Sequence, residues 1–187
     1  MSMKKLLAFV LSFLLIFSFY SCGNSEPWQN FEFTFSRAGG SGDPNIYDGA
    51  LNQGKLHSND AIHLPIYKFD TLADLEKFKS DFGGKSGFNY GWDEVPSFNS
   101  VTEKYDDAFF EENSLLLIYI VTGSGSERFG FKGIYLEDNY LCVHTEQTNN
   151  PQGGTEDVAA WFITVTVSDS LTKNCTEFDA IFNPSRS

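Results

Sequence analysis

The amino-acid sequence predicts a single α+β domain, in which a mainly antiparallel β-sheet carries one long and one short helix on one side. Two segments, at residues 31–36 and 161–167, place apolar side chains at every second position, which is typical of strands. Seven apolar residues in a row, at 115–121, indicate a central strand that is buried on both faces. One amphipathic segment, at residues 71–82, is the strongest helix signal, and strands with so few helices favour the α+β class.

The first half of the domain is predicted to contain two strands and the long helix. After the strand at 31–36, residues 37–60 are rich in Gly, Asn and Asp and indicate an irregular loop. Residues 61–69 predict a second strand, in which Pro65 indicates an edge or a bulge. The helix is expected to begin at Thr71, whose side chain can cap the first turn, and to end at Gly83.

The second half is predicted to contain the remaining strands, joined by turns. A tight turn at residues 138–139 predicts a hairpin. The other predicted elements are a short helical turn at 106–112, hairpin strands at 129–135 and 140–145, a strand at 161–167, a short last strand at 178–182, and Gly-rich loops at 83–100 and 147–157.

The N-terminus has the order of a bacterial lipoprotein signal. Lys4 and Lys5 precede an uncharged apolar stretch, and Ser21, Cys22 and Gly23 follow it. Cleavage before Cys22 would leave a thiol that can carry lipid, so residues 1–21 are predicted to be a signal peptide, 22–30 a tether and 31–187 the domain. Plain secretion and an uncleaved anchor are the alternatives. The expected location is outside the cytoplasm, on a membrane of the bacterial cell envelope.

The predicted mature chain is strongly acidic. Loss of the leader leaves 11 basic against 25 acidic residues, a net charge of −14. Such a body repels nucleic acid and anionic lipid, so no nucleic-acid partner is expected.

Two cysteines remain besides Cys22. In an oxidising compartment, Cys142 and Cys175 could form a disulfide that closes a long loop. The alternative is two separate thiols, because Cys142 lies in an apolar strand pattern where a free cysteine packs as a small hydrophobic residue.

No specific catalytic set emerges from the sequence. Cys142 and His144 would share a strand face and could meet as nucleophile and base, but a cysteine and a histidine on one strand face are far more often packing residues. His57, Asp60 and His63 are potential metal ligands, yet their context predicts a loop followed by a strand. We therefore expect a protein without enzymatic activity, metal or cofactor.

Three aromatic residues in the loop at 83–100 suggest a binding surface. Phe88, Tyr90 and Trp92 alternate with polar or small residues. Exposed aromatic rings of this kind stack on sugars or anchor protein interfaces. The alternative is that the loop folds back and covers the core.

Residues of about 70–170 also resemble a known family, chiefly over 105–169 and with the helix at 71–82 before them. An acidic turn with paired phenylalanines at 105–110, the apolar strand, a Gly/Ser turn at 123–126, the hairpin and the segment 161–167 together resemble the protease complex subunit PrcB family and related bacterial lipoproteins of unassigned function. That family is named for a surface lipoprotein that associates with a subtilisin-like protease. The resemblance implies a non-catalytic partner of a surface protein.

The leading functional hypothesis is a lipid-anchored accessory or binding protein that uses an edge strand or the loops at 83–100 and 147–157. A carbohydrate-binding lipoprotein that uses Tyr90 and Trp92 is the second hypothesis, and a small hydrolase is the third.

Overall fold

The structure is a computed structural model, which describes residues 31–39, 45–57, 61–91, 94–149 and 157–183. It confirms the α+β class. The strands are β1 (Phe33–Gly39), β2 (Ile62–His63), β3 (Ile66–Phe69), β4 (Asn113–Thr122), β5 (Phe129–Glu137), β6 (Tyr140–Gln147), β7 (Ala159–Ser168) and β8 (Glu177–Asn183). The helices are α1 (Asn45–Asp48), α2 (Leu72–Ser86), α3 (Phe98–Thr102), α4 (Asp107–Phe110) and α5 (Asp169–Thr172), with a 3-10 turn at Gln53–Lys55.

The strands of the described residues form two sheets of four. The first sheet has the order β1-β7-β4-β3 and is antiparallel throughout. The second has the order β2-β8-β6-β5, and its β6–β8 pair is parallel. The sequence predicted only one sheet. The apolar run in β4 explains the difference, because a strand that is buried on both faces needs a cover on the side opposite the helices.

Three layers follow from this arrangement. One apolar cluster lies between the first sheet and the helices, and it includes Leu117, Phe162 and Phe78 of α2. A second cluster lies between the two sheets, and it includes Leu116 and Trp161. Successive residues of β4 and β7 therefore enter different clusters, which places the first sheet at the centre of the molecule.

The predicted strand at 61–69 is divided between the two sheets. β2 pairs with β8 in the second sheet, whereas β3 pairs with β4 in the first. The chain crosses at Leu64 and Pro65, whose backbone groups bond to different sheets: Leu64 N donates to Ala180 O at 2.8 Å, and Pro65 O accepts from Tyr119 N at 3.0 Å. The irregularity that Pro65 indicated is this crossing.

The long helix begins as predicted and ends later. Thr71 caps α2 and accepts a hydrogen bond from the backbone N of Asp74 at 3.1 Å. The predicted stop at Gly83 is wrong, because Gly83 continues the helix and Gly87, with φ of 69°, provides the left-handed C-cap. The later end allows Phe88 to fold back onto the core.

The predicted hairpin is confirmed. β5 and β6 are joined by residues 138–139, and Asp138 has the positive φ of 51° that a tight hairpin turn requires. No helix among the described residues is long and apolar enough to cross a membrane.

Candidate functional site: a buried polar network on the second sheet

The parallel pairing of β6 and β8 brings several ionisable side chains together on one face of the second sheet. Leu141, Val143 and Ala180 point into the core between the sheets. Cys142 and Asp179, which are paired in register, therefore lie on the outer face of the second sheet. Asp179 is nevertheless only 1% exposed.

Four donors surround the Asp179 carboxylate. The backbone N of Ala180 and Nδ2 of Asn52 donate to Oδ1 at 2.9 and 2.8 Å. His63 Nδ1 lies 3.0 Å from Oδ1, and the Tyr140 hydroxyl donates to Oδ2 at 3.1 Å. Burial alone would raise the pKa of Asp179, but the hydrogen bonds from Asn52 and His63 outweigh it and hold this pKa below its usual range. The carboxylate is therefore ionised at neutral pH.

Asn52 ties the network to the first sheet. Its Nδ2 also donates to Leu64 O at 2.9 Å, and its Oδ1 accepts from the backbone N of Ile66 at 3.3 Å. Both partners flank the crossing between β2 and β3. One amide side chain thus holds the 3-10 turn, the crossing and Asp179 together.

Lys55 adds a cation to the outer side of the network. Its Nζ lies 3.6 Å from Asp179 Oδ2, 3.9 Å from Glu177 Oε2 and 4.4 Å from the centroid of the Tyr140 ring. The ring face and the two carboxylates together surround the ammonium group. A concavity of about 240 Å³ adjoins it, lined by Leu51, Asn52, Gly54, Lys55, Thr176, Glu177 and Phe178.

Cys142 and His144 share a face of β6, as the sequence predicted, but the protonation state of Cys142 does not suit a nucleophile. Burial raises the pKa of the Cys142 thiol to about 11, so it stays protonated at neutral pH. Burial, together with the nearby Lys132, lowers the pKa of His144. The network can hold charge and bind a polar group, and it lacks an activated thiolate.

The predicted disulfide is not formed. Cys142 and Cys175 are free thiols in the structure. Cys142 points to the outer face of the second sheet, whereas Cys175 packs against the cluster between the sheets. The second sheet separates the two side chains, so the alternative of two separate thiols is the correct one.

The three residues of the predicted aromatic surface differ in their surroundings. Phe88 is fully buried and packs against Phe98 and Phe162, with ring centroids 5.1 and 5.3 Å apart, so its assignment to a binding surface is wrong. The helix extension that Gly87 ends turns Phe88 inward. Tyr90 is 73% exposed and stays a candidate. Trp92 lies outside the described residues.

The remaining predicted residues are dispersed. His57 is exposed, whereas His63 forms a hydrogen bond with the buried carboxylate of Asp179. Asp60 and the lipidation residue Cys22 lie outside the described residues. Asp179 itself was missed, although an acid between Phe178 and Ala180 in an otherwise apolar strand is a usable signal for a buried charge.

Comparisons with protein-family models, with curated proteins and with solved structures find no match to this chain. The resemblance to the PrcB family stays a prediction.

Proposed function

We propose that this chain is a lipid-anchored accessory protein of the bacterial cell envelope, and that it binds a surface protein, such as a secreted protease, without catalysing a reaction. The signal-like N-terminus with Cys22 and the −14 charge of the mature body support an outward-facing, tethered domain. The structural observation that carries the binding role is the outer edge of β5.

The edge of β5 is long and accessible to a partner strand. The strand has nine residues, and among the described strands only β6 pairs with it. Residues 137 and 140 flank a two-residue turn and therefore form a hydrogen-bonded pair. Leu136 is the next residue, so its backbone N–H and C=O point away from β6. Its side chain is 42% exposed.

An exposed edge of this kind favours a protein partner. An extended peptide can add to the sheet through main-chain hydrogen bonds, and the exposed side chains then provide selectivity. Lys132 and the irregular register between Phe131 and Gly133 lie in the same strand. Such features limit uncontrolled pairing of edges, so a bound strand has to fit the segment from Ile134 to Glu137.

Substitution of Leu136 tests this surface. Leu136→Pro removes the outward N–H, whereas Leu136→Ala removes the side chain and keeps the N–H. We expect wild type and Leu136→Ala to capture the same partner from envelope extract, identified by mass spectrometry, and Leu136→Pro to lose at least about tenfold of it. Circular dichroism verifies that both variants fold. Equal capture of the partner by Leu136→Pro contradicts binding at the edge of β5. Capture of no partner by any form contradicts the proposed function.

Labelling with a radioactive fatty acid tests the anchor separately. We expect label in the wild-type protein and none in Cys22→Ala, which should leave the membrane fraction. A Cys22→Ala protein that still fractionates with membranes contradicts the lipid anchor.

A carbohydrate-binding role is the second candidate, and the exposed ring of Tyr90 favours it. A glycan array with wild type and Tyr90→Ala tests this role. Sugar binding that Tyr90→Ala abolishes supports it, and an array without signal contradicts it.

A further inference from the structure

The group formed by Tyr140, Glu177 and Asp179, hereafter the cage, has the composition of a site for an organic cation. An aromatic face and two carboxylates attract an ammonium group, and the attraction is strongest where the groups are shielded from water. Asp179 is buried, and Glu177 is exposed at the rim. In this structure the cage holds the ammonium group of Lys55.

Lys55 occupies the cage loosely. Its distances of 3.6 and 3.9 Å to the two carboxylates exceed the 2.7–3.2 Å that is usual for an N–H···O hydrogen bond. Its side chain is 40% exposed and has a flexible stem. An external ammonium group that approaches closer to the carboxylates can therefore displace it into solvent.

The inner carboxylate retains capacity for such a ligand. Asp179 Oδ1 accepts from Asn52 and from the backbone N of Ala180, and it also faces His63. Oδ2 accepts from Tyr140 and lies 3.1 Å from the same His63 nitrogen. Since each carboxylate oxygen has two lone pairs, Oδ2 can accept from a further donor on the side where Lys55 now lies.

The charges that face the cage also favour a cation. The two carboxylates outnumber Lys55, and Cys142 beside them is a neutral thiol because its pKa is raised to about 11. His63, Tyr140 and Lys55 are the other ionisable residues that contact Asp179. The adjoining concavity is lined in part by the exposed side chain of Leu51, which suits the alkyl chain of a ligand whose ammonium group enters the cage.

We propose that the cage is a binding site for a primary alkylammonium group, and that Lys55 is its resident competitor. The ligand is either a free alkylamine or a lysine side chain of a bound protein, since both present the same group. No cage residue belongs to β5, whose outer edge carries the proposed function, so failure of this proposal leaves the proposed function standing.

Removal of Lys55 provides the test. The full-length Lys55→Ala protein in non-ionic detergent is titrated with n-butylammonium chloride, with n-butanol at matched sodium chloride, and with the peptide acetyl-Gly-Lys-Gly-amide. We expect the amine to raise Tm in a saturable manner, a smaller rise in wild type because Lys55 competes, and no saturable rise with butanol. A stronger effect of the peptide identifies a lysine of a partner as the ligand, and an equal or weaker effect identifies a free amine.

Two further variants keep the test decisive. Replacement of Tyr140 by Leu in the Lys55→Ala protein should abolish the effect of the amine, whereas replacement by Phe should retain most of it because the ring face remains. If Lys55→Ala does not fold, Lys55→Met removes the charge and keeps the apolar stem. If neither folds, the amide NMR shifts of Gly54 and Thr176 in the wild-type protein are followed during the same titrations. Shifts that the amine and butanol cause equally overturn the proposal. Equal effects of amine and butanol, or an amine effect that survives Tyr140→Leu, overturn the proposal.

Discussion

Replacement of Asp179 by Asn tests whether the buried network stabilises the fold. The substitution keeps the shape of the side chain and one acceptor oxygen, but it places an NH₂ group where Oδ2 now faces Tyr140 and Lys55. A hydrogen bond to a charged group contributes roughly 1.5–3 kcal/mol, and a buried donor without a partner costs roughly 1–3 kcal/mol. We expect Asp179→Asn to lower the free energy of unfolding by about 2–4 kcal/mol at pH 7.

The matched control is Glu177→Gln. Glu177 also faces Lys55 but is exposed, so its loss should cost less than about 0.5 kcal/mol. Urea unfolding followed by circular dichroism measures both variants. For a domain of this length, the Asp179 variant should also lose roughly 5–12 °C in Tm. A variant within about 0.5 kcal/mol of wild type would refute a stabilising role for the network.

The pH dependence of the free energy of unfolding, compared between wild type and Asp179→Asn, tests whether Asp179 is ionised. The pKa of Asp179 is lowered in the folded protein, so the unfolded chain binds the proton more readily. The stability that the carboxylate contributes is therefore complete above its ordinary pKa of about 4, and it is lost as the pH falls through the lowered folded value. We expect the difference between wild type and Asp179→Asn to shrink as the pH falls below about 4. A difference that is unchanged or wider at about pH 3 than at about pH 4.5 contradicts an ionised Asp179.

The remaining predictions concern α2, the loop after it and the buried thiol. Gly87→Ala should destabilise the protein by about 1 kcal/mol because the φ of Gly87 is 69°. Gly84→Ala should stabilise it by about 0.5–1 kcal/mol because Gly84 lies within α2 and a Cβ there meets open space. If urea unfolding shows that both variants change the stability in the same direction, the assignment of Gly87 as the cap is contradicted. Phe88→Ala should cost about 3–5 kcal/mol and Tyr90→Ala almost nothing in the same assay, and the reverse order contradicts the burial described. Iodoacetamide should label native Cys142 at least about 100-fold more slowly than unfolded Cys142 at pH 8, as measured by mass spectrometry. Comparable labelling rates in the two states contradict a buried, protonated thiol.

The sequence predicted the elements better than their assembly. Side-chain periodicity located β4, the β5–β6 hairpin and β7, because each of these patterns is local and depends on which faces of a strand are buried. The number of sheets did not follow from the same patterns. The apolar run of β4 indicated burial on both faces, but it could not indicate whether the second cover would be helices or another sheet.

The end of α2 shows a limit of turn signals. Gly83 directly follows Phe82, the last apolar residue of the helix, whereas Gly87 comes four residues later, and the sequence alone favoured the earlier stop. The structure uses Gly87, because the additional turn brings Phe88 against Phe98 and Phe162. Burial of that ring outweighs the modest cost of two glycines inside the helix.

The polar network was beyond the reach of local patterns because its members are distant in the sequence. Asn52 and Asp179 are 127 residues apart, and they meet only because β8 returns to pair in parallel with β6 after β7 has joined the other sheet. A buried carboxylate in such a place is costly unless donors are already positioned around it. The donors come from the 3-10 turn, from β2 and from β6, so Asp179 can be buried as a charged group only when all three elements are assembled. It follows that loss of this charge should loosen the attachment of residues 45–57 to the second sheet, which is the same segment that carries Lys55 into the cage.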